Sequence, residues 1–199
     1  MSANRNLRGG LIAGFIGAIM TVSVLFIPQS IDTKSNKLQL LIIHCSATRE
    51  GQNVSAQRIY KLHTSPKEKG GMGWKKAGYR DVIELDGKIV NLHKYNDDDI
   101  VQVSEITNGT YAYNKISANV CYIGGMDSTY KHAKNTLTPQ QDSALKLYVL
   151  TFIKLHPTCY VAGHNQFAYK NCPSFDVPAK CKEWGIPTQN IFTLKVKKY

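Results

Sequence analysis

Residues 38–43 read LQLLII, an apolar run of strand length that stops at His44. A run so short with a single polar break fits a strand covered on both faces, and such strands sit inside sheets flanked by helices. The rest of the chain supplies those partners. Asn53 or Ser55 caps a helix through Ile59 and Leu62, which Pro66 and the Gly70-Gly71 pair stop. Tyr79–Leu85 and Lys88–Leu92 read as a hairpin about Asp86-Gly87. Val120–Ile123 is a short strand ending at Gly124-Gly125, and Thr138-Pro139-Gln140-Gln141 opens a helix with a capping box, Pro139 in its first turn and a buried stripe of Leu145, Val149, Phe152 and Ile153. Cys159–Ala162 is a further strand, and Asp176 caps a last short helix that Gly185 and Pro187 end. Strands interleaved with helices predict an α/β domain with a central mixed sheet over residues 38–185, after a linker at 31–37 and before a basic tail at 186–199. His93–Asn119 shows no period, and a loop this long inside a compact domain is either functional or a plain surface excursion.

The first thirty residues form a separate object. Leu11–Ile27 is an uncharged run of 17 residues behind Arg5 and Arg8, closed by Pro28. As a helix it reaches roughly 25 Å, the lower limit for crossing a bilayer. A cleavable signal peptide shares this layout, but its apolar run is usually shorter and ends in small residues. Pro28-Gln29-Ser30 matches that poorly, so an uncleaved signal anchor is expected, with the catalytic part outside the cytoplasm. Gly10-x-x-x-Gly14 and the nearby alanines make the run only mildly hydrophobic, and Lys34 and Lys37 beyond it blunt the charge asymmetry that sets orientation.

Chemistry-bearing residues gather at strand ends. His44 closes the first strand, where a buried imidazole needs a partner or an ion. His164 follows another apolar strand, and Cys172 lies eight residues on, in YKNCPSFD. Two imidazoles and one thiolate form a known catalytic zinc set whose fourth position stays open. The spacing is not that of a zinc finger, so spacing by itself leaves satisfied core histidines as the alternative. Cys45 adjoins His44, but neighbouring strand residues face opposite ways, which sets it apart from such a set unless the strand ends there.

Five blocks then run in order: IIHCSAT at 42–48, GYRDVIELDGKI at 78–89, NVCYIGGMD at 119–127, AGHNQF at 162–167 and KNCPSFD at 170–176. Together they resemble the type 2 zinc N-acetylmuramoyl-L-alanine amidases, the family of phage lysozyme-type amidases and peptidoglycan recognition domains. The likeness extends from about Leu38 to Trp184 and is nearer to the phage enzymes. It implies an amidase fold, Zn²⁺ held by His44, His164 and Cys172, and Tyr79 and Lys170 as catalytic residues. Where phage relatives tend to carry His ahead of the NVCYIGG strand, this chain reads Tyr113-Asn114-Lys115. Met72 and Trp74, in the basic loop Lys67–Lys76, are candidates for lining a groove, or for anchoring a solvated loop.

Charge bears on the partner. The chain carries +11, and residues 31–199, with 23 basic and 14 acidic residues, carry +9 of it. That suits an anionic polymer or membrane surface; nucleic acid is not expected, because no recognition module accompanies the charge. The resemblance implies peptidoglycan as the substrate, with the inner membrane as partner of residues 11–27 and the periplasm, or export, as location. A recognition module that binds the wall without cutting it is the second reading, and loss of Cys172 would have been its signature. In an oxidising compartment Cys45, Cys121, Cys159 and Cys181 have the option of pairing, and the sequence does not decide.

Overall fold

A computed structural model describes residues 29–196. The elements run β1 (Leu40–Cys45), β2 (Thr48–Arg49), α1 (Ala56–Thr64), β3 (Asp81–Ile83), β4 (Ile89–Asn91), β5 (Ser117–Tyr122), β6 (Gly125–Met126), α2 (Pro139–Leu155), β7 (Tyr160–Gly163) and α3 (Val177–Glu183). The main sheet has the order β4-β3-β5-β1-β7, parallel except for the antiparallel β3–β4 hairpin. It is the mixed α/β sheet expected, and the LQLLII run enters it as β1, an interior strand between β5 and β7 that begins at Leu40 and continues through His44 to Cys45, buried throughout.

Local sequence sets the helices. Ser55 caps α1 by accepting from the Arg58 amide. At α2 the Thr138 hydroxyl accepts from the Gln141 amide while the Gln141 side chain accepts from the Thr138 amide. Gln141 also ties the helix to the sheet, its Nε2 donating to the carbonyls of Ile83 (3.1 Å) and Ile123 (2.9 Å). Asp176 caps α3.

The two faces of the sheet pack differently. On one, Leu41, Ile43, Ala118, Val120, Tyr122 and Val161 meet Leu145, Val149, Phe152 and Ile153 of α2 and Val177 and Cys181 of α3 in one continuous core. On the other, apolar packing divides. Leu40, Ile42 and Ala162 join Tyr113, Ile116, Phe167 and Phe192, while Val82, Cys121 and Ile123 join Ala56 and Ile59 of α1. Between these two clusters lie the buried polar residues His44, Thr107, Thr110, Ser117 and Asn119.

Two expectations need correction. The fifth strand starts at Ser117, not Val120. Its polar first residues are tolerated inside because side-chain hydrogen bonds satisfy them. The expected basic tail is packed against the domain as far as Val196: Ile186, Ile191 and Phe192 are buried, Ile191 bridges Val161, Phe192 stacks on Phe167 with ring centroids 5.4 Å apart, and the Val196 amide donates to the Gln166 carbonyl. The lysines that end the sequence hide the apolar pair Ile191-Phe192 from a reading by composition. All five cysteines are free thiols. The apolar run 11–27 lies outside the described residues; among those described, no helix is long and apolar enough to cross a membrane.

Candidate metal centre and cleft

Parallel neighbours place their carboxyl ends side by side, and in open α/β sheets that edge is where ligands bind. β1 and β7 pair from Leu40 with Tyr160 to Ile43 with Gly163, so the residues that follow, His44 and His164, meet with ring centroids 4.6 Å apart. β1 ends after Cys45, where Ala47 adopts a positive φ of 53° and the Ser46 hydroxyl accepts from the Gly124 amide at 3.0 Å. Cys172 arrives on a loop pinned from several sides. Its carbonyl accepts from the Asn165 amide (2.7 Å), the Tyr122 hydroxyl donates to the Pro173 carbonyl (2.8 Å), and the Cys45 amide donates to Cys172 Sγ (3.3 Å). Gly125 permits the close approach, since a Cβ there would lie 2.4 Å from Cys45 Sγ.

The donor atoms of His44, His164 and Cys172 all lie within 4.8 Å of one another. His44 Nδ1 stands 3.6 Å from Cys172 Sγ. Tetrahedral zinc with Zn–S of about 2.3 Å and Zn–N of about 2.0 Å separates its N and S ligands by about 3.5 Å, close to that distance, so the residues present fit that ion. Cys45 is not in this group, although it ends its strand and meets Cys172 through both its amide and its thiol.

Electrostatics favour neutral imidazoles. Burial, then His164 and Lys170, holds His44 well below the usual histidine range. Burial and then Lys170 bring His164 down to about 4. Contact with Cys45, then burial, pushes the Cys172 thiol up. Burial, with the thiols of Cys121, Cys172 and Cys45 nearby, raises the Tyr79 phenol well above its usual range, so it remains a protonated donor.

A cleft of about 640 Å³ opens over the group, lined by His164 and Cys172 together with Tyr79, Lys170, Met72 and Trp74. All five expected site residues are therefore brought together, with His44 buried beneath and its ring centroid 5.1 Å from that of Tyr79. Met72 and Trp74 do line the groove. Trp74 stacks on His63 (4.9 Å), whose Nδ1 accepts from the Gly78 amide at 3.1 Å. A larger hollow of about 940 Å³, lined by Lys131, Lys170, Lys182 and Lys195, takes in none of His44, His164 and Cys172. Sequence reasoning missed His63, Thr110 and Asn119. Asn119 and Thr110 carry one signal, polar residues within or just ahead of a strand-like stretch, which does not reveal a partner 75 positions away.

The α/β sheet thus carries, beyond the carboxyl ends of β1 and β7, a histidine, histidine, cysteine group able to hold a metal ion. No protein-family model matches the chain. Individual proteins do. The endolysin of Escherichia phage T7 is 32% identical over 146 residues, 72% of this chain and 83% of that protein. The endolysin of Enterobacteria phage K11 is 32% identical over 160 residues, 79% and 95% of the two chains. Among solved structures, the endolysin N-acetylmuramoyl-L-alanine amidase LysCS of Clostridium intestinale aligns with a TM-score of 0.57 at 17% identity, covering 80% of this chain and 90% of that one. Bumblebee PGRP-SA gives 0.58 at 18% identity, covering 79% and 86%, and both likenesses concern the fold. The chain belongs to the phage endolysins of the type 2 N-acetylmuramoyl-L-alanine amidase family.

Proposed function

We propose that this amidase is a zinc enzyme that cleaves the bond between N-acetylmuramic acid and L-alanine in peptidoglycan, with His44, His164 and Cys172 as metal ligands. The observation that carries the reading is the convergence of three donor atoms within 4.8 Å beneath a cleft that Tyr79 and Lys170 also line. Zinc, when bound, supplies Lewis acidity toward the scissile carbonyl and makes water a better nucleophile at neutral pH.

The chain's own groups supply the rest. Tyr79, kept protonated by its surroundings, donates a hydrogen bond where negative charge develops on the lactyl carbonyl oxygen. Lys170 is exposed at the cleft wall, and its charge is felt by both histidines. It stabilises the same oxyanion or passes a proton to the leaving amine of L-alanine. The depressed pKa values of His44 and His164 keep both rings neutral, the form in which imidazole is a ligand. Met72 and Trp74 offer an apolar wall to the substrate.

Residues 11–27 serve in this reading as the signal anchor that carries the domain to the periplasmic side of the host inner membrane. Their low hydrophobicity suits later release. Fractionation of cells before and after collapse of the membrane potential tests this: release into the soluble fraction is expected, and retention throughout contradicts it.

Digestion of peptidoglycan by the full-length protein in detergent, with and without a chelator, tests the activity. New L-alanine amino termini that vanish with chelator are expected. New reducing sugar ends would mark a glycosidase, and binding to the wall with neither product would mark a recognition module.

A further inference from the structure

A buried imidazole that gives one nitrogen to a cation must place the proton of the other somewhere. His44 is 1% exposed, and its Nδ1 is the atom beside Cys172 Sγ. The proton of the neutral ring therefore belongs on Nε2, away from solvent, where an N–H without an acceptor is costly. His44 Nε2 lies 2.8 Å from Asn119 Oδ1.

Asn119 is itself locked. Its Nδ2 donates to Thr107 Oγ1 (3.1 Å) and Ser117 Oγ (3.2 Å), and its Oδ1 also accepts from Thr110 Oγ1 (3.1 Å). Thr110 Oγ1 stands 3.3 Å from His44 Nε2, closing a ring of three groups. Gly109 lies against the amide so closely that a Cβ there would be 2.5 Å from Asn119 Cγ. Every polar atom of the amide has a partner, and its orientation is tied to the tautomer of His44. Reversed, the amide would turn its NH₂ toward Nε2, favour the proton on Nδ1 and block the metal-facing lone pair.

We infer that Asn119 is the positioning residue of the metal centre: it accepts the Nε2 proton of His44, fixes the ring's tautomer and angle, and so sets the affinity of the site for a divalent cation. This rests on the metal reading above. As an amide, Asn119 does so without adding charge to a site that already holds one thiolate. Thr107, Thr110 and Ser117, from the segment 107–117, orient the amide in turn.

The test uses full-length protein and zinc as the probe, with affinity read by competition against a chromogenic chelator. Asn119→Leu, close in size and without an acceptor, is expected to weaken zinc binding about 10–100-fold. Asn119→Asp, which restores an acceptor, is expected to hold zinc at least as tightly as the native residue. Nitrogen-15 NMR of the metal-free native protein is expected to find the His44 proton on Nε2. Zinc affinity unchanged in Asn119→Leu, or a His44 proton on Nδ1 in the native protein, would overturn the inference. The NMR result decides even if Asn119→Leu fails to fold. A native protein that binds no zinc sinks the metal reading instead, and the tautomer is still measured separately.

Discussion

The two faces of the central sheet do different work with the same strands. Under α2 and α3 the packing is a single apolar cluster whose members include Leu41, Ile43, Val120, Tyr122, Leu145 and Val149. On the opposite face, alternate residues of the same strands change character in opposite senses, from apolar Leu40 and Ile42 to His44 on β1 and from polar Ser117 and Asn119 to Cys121 on β5, and leave the cluster in two parts. One face supplies cohesion through burial, at about 25 cal/mol per Å² of apolar surface removed from water. The other gives up part of that cohesion to hold a polar seam behind the donor group. Stability and chemistry are thereby separated across the thickness of one sheet, and changes on either face should read out differently.

Leu145→Ala, on the cohesive face, should give the largest change in stability, a loss of about 2–5 kcal/mol by chemical denaturation, with turnover per folded molecule unchanged. A fall in turnover alone would show that the faces are not separable. Acidification attacks the other face. A histidine whose pKa is depressed by folding binds its proton more readily in the unfolded chain, so stability is complete above about pH 6.5 and falls as pH drops toward 4. For the metal-free protein His164 contributes about 3 kcal/mol to that loss. Denaturation curves between pH 7 and 4 check it, and a flat profile would contradict a buried neutral His164.

Within the cleft, Tyr79→Phe and Lys170→Ala should each cut turnover roughly 100-fold while zinc content and stability stay near native. Near-native turnover in either would remove that residue from the chemistry. The smallest effect is expected at the edge of the cohesive face, where Thr138→Ala removes the cap of α2 at a cost of about 1 kcal/mol with no change in turnover.

Much of this division was legible beforehand, for physical reasons. The apolar stripe of α2, its capping box and the buried run of β1 are local patterns, and local patterns survive in a linear sequence. His44, His164 and Cys172 stand out by residue type at strand ends, but only the ordered motifs join them and add Tyr79 and Lys170, since 128 positions separate the two ends of the donor group and no periodicity spans that distance. The seam was not legible. Asn119 reads as an ordinary polar residue before a strand, and its meaning depends on Thr107 and Thr110 folding back from a segment without a period. The packing of Ile191 and Phe192 against Val161 and Phe167 was hidden for the same reason, being a long-range contact within a segment of basic composition.

A metal centre made of His44, His164 and Cys172 is tested most directly by elemental analysis of the full-length protein after dialysis, native beside Cys172→Ser, with amidase turnover measured on the same samples. The native protein should carry about one zinc per chain and release L-alanine amino termini, and the variant should lose both the metal and the activity while remaining folded. Zinc retained in full by Cys172→Ser, or turnover by native protein stripped of metal, would contradict the assignment.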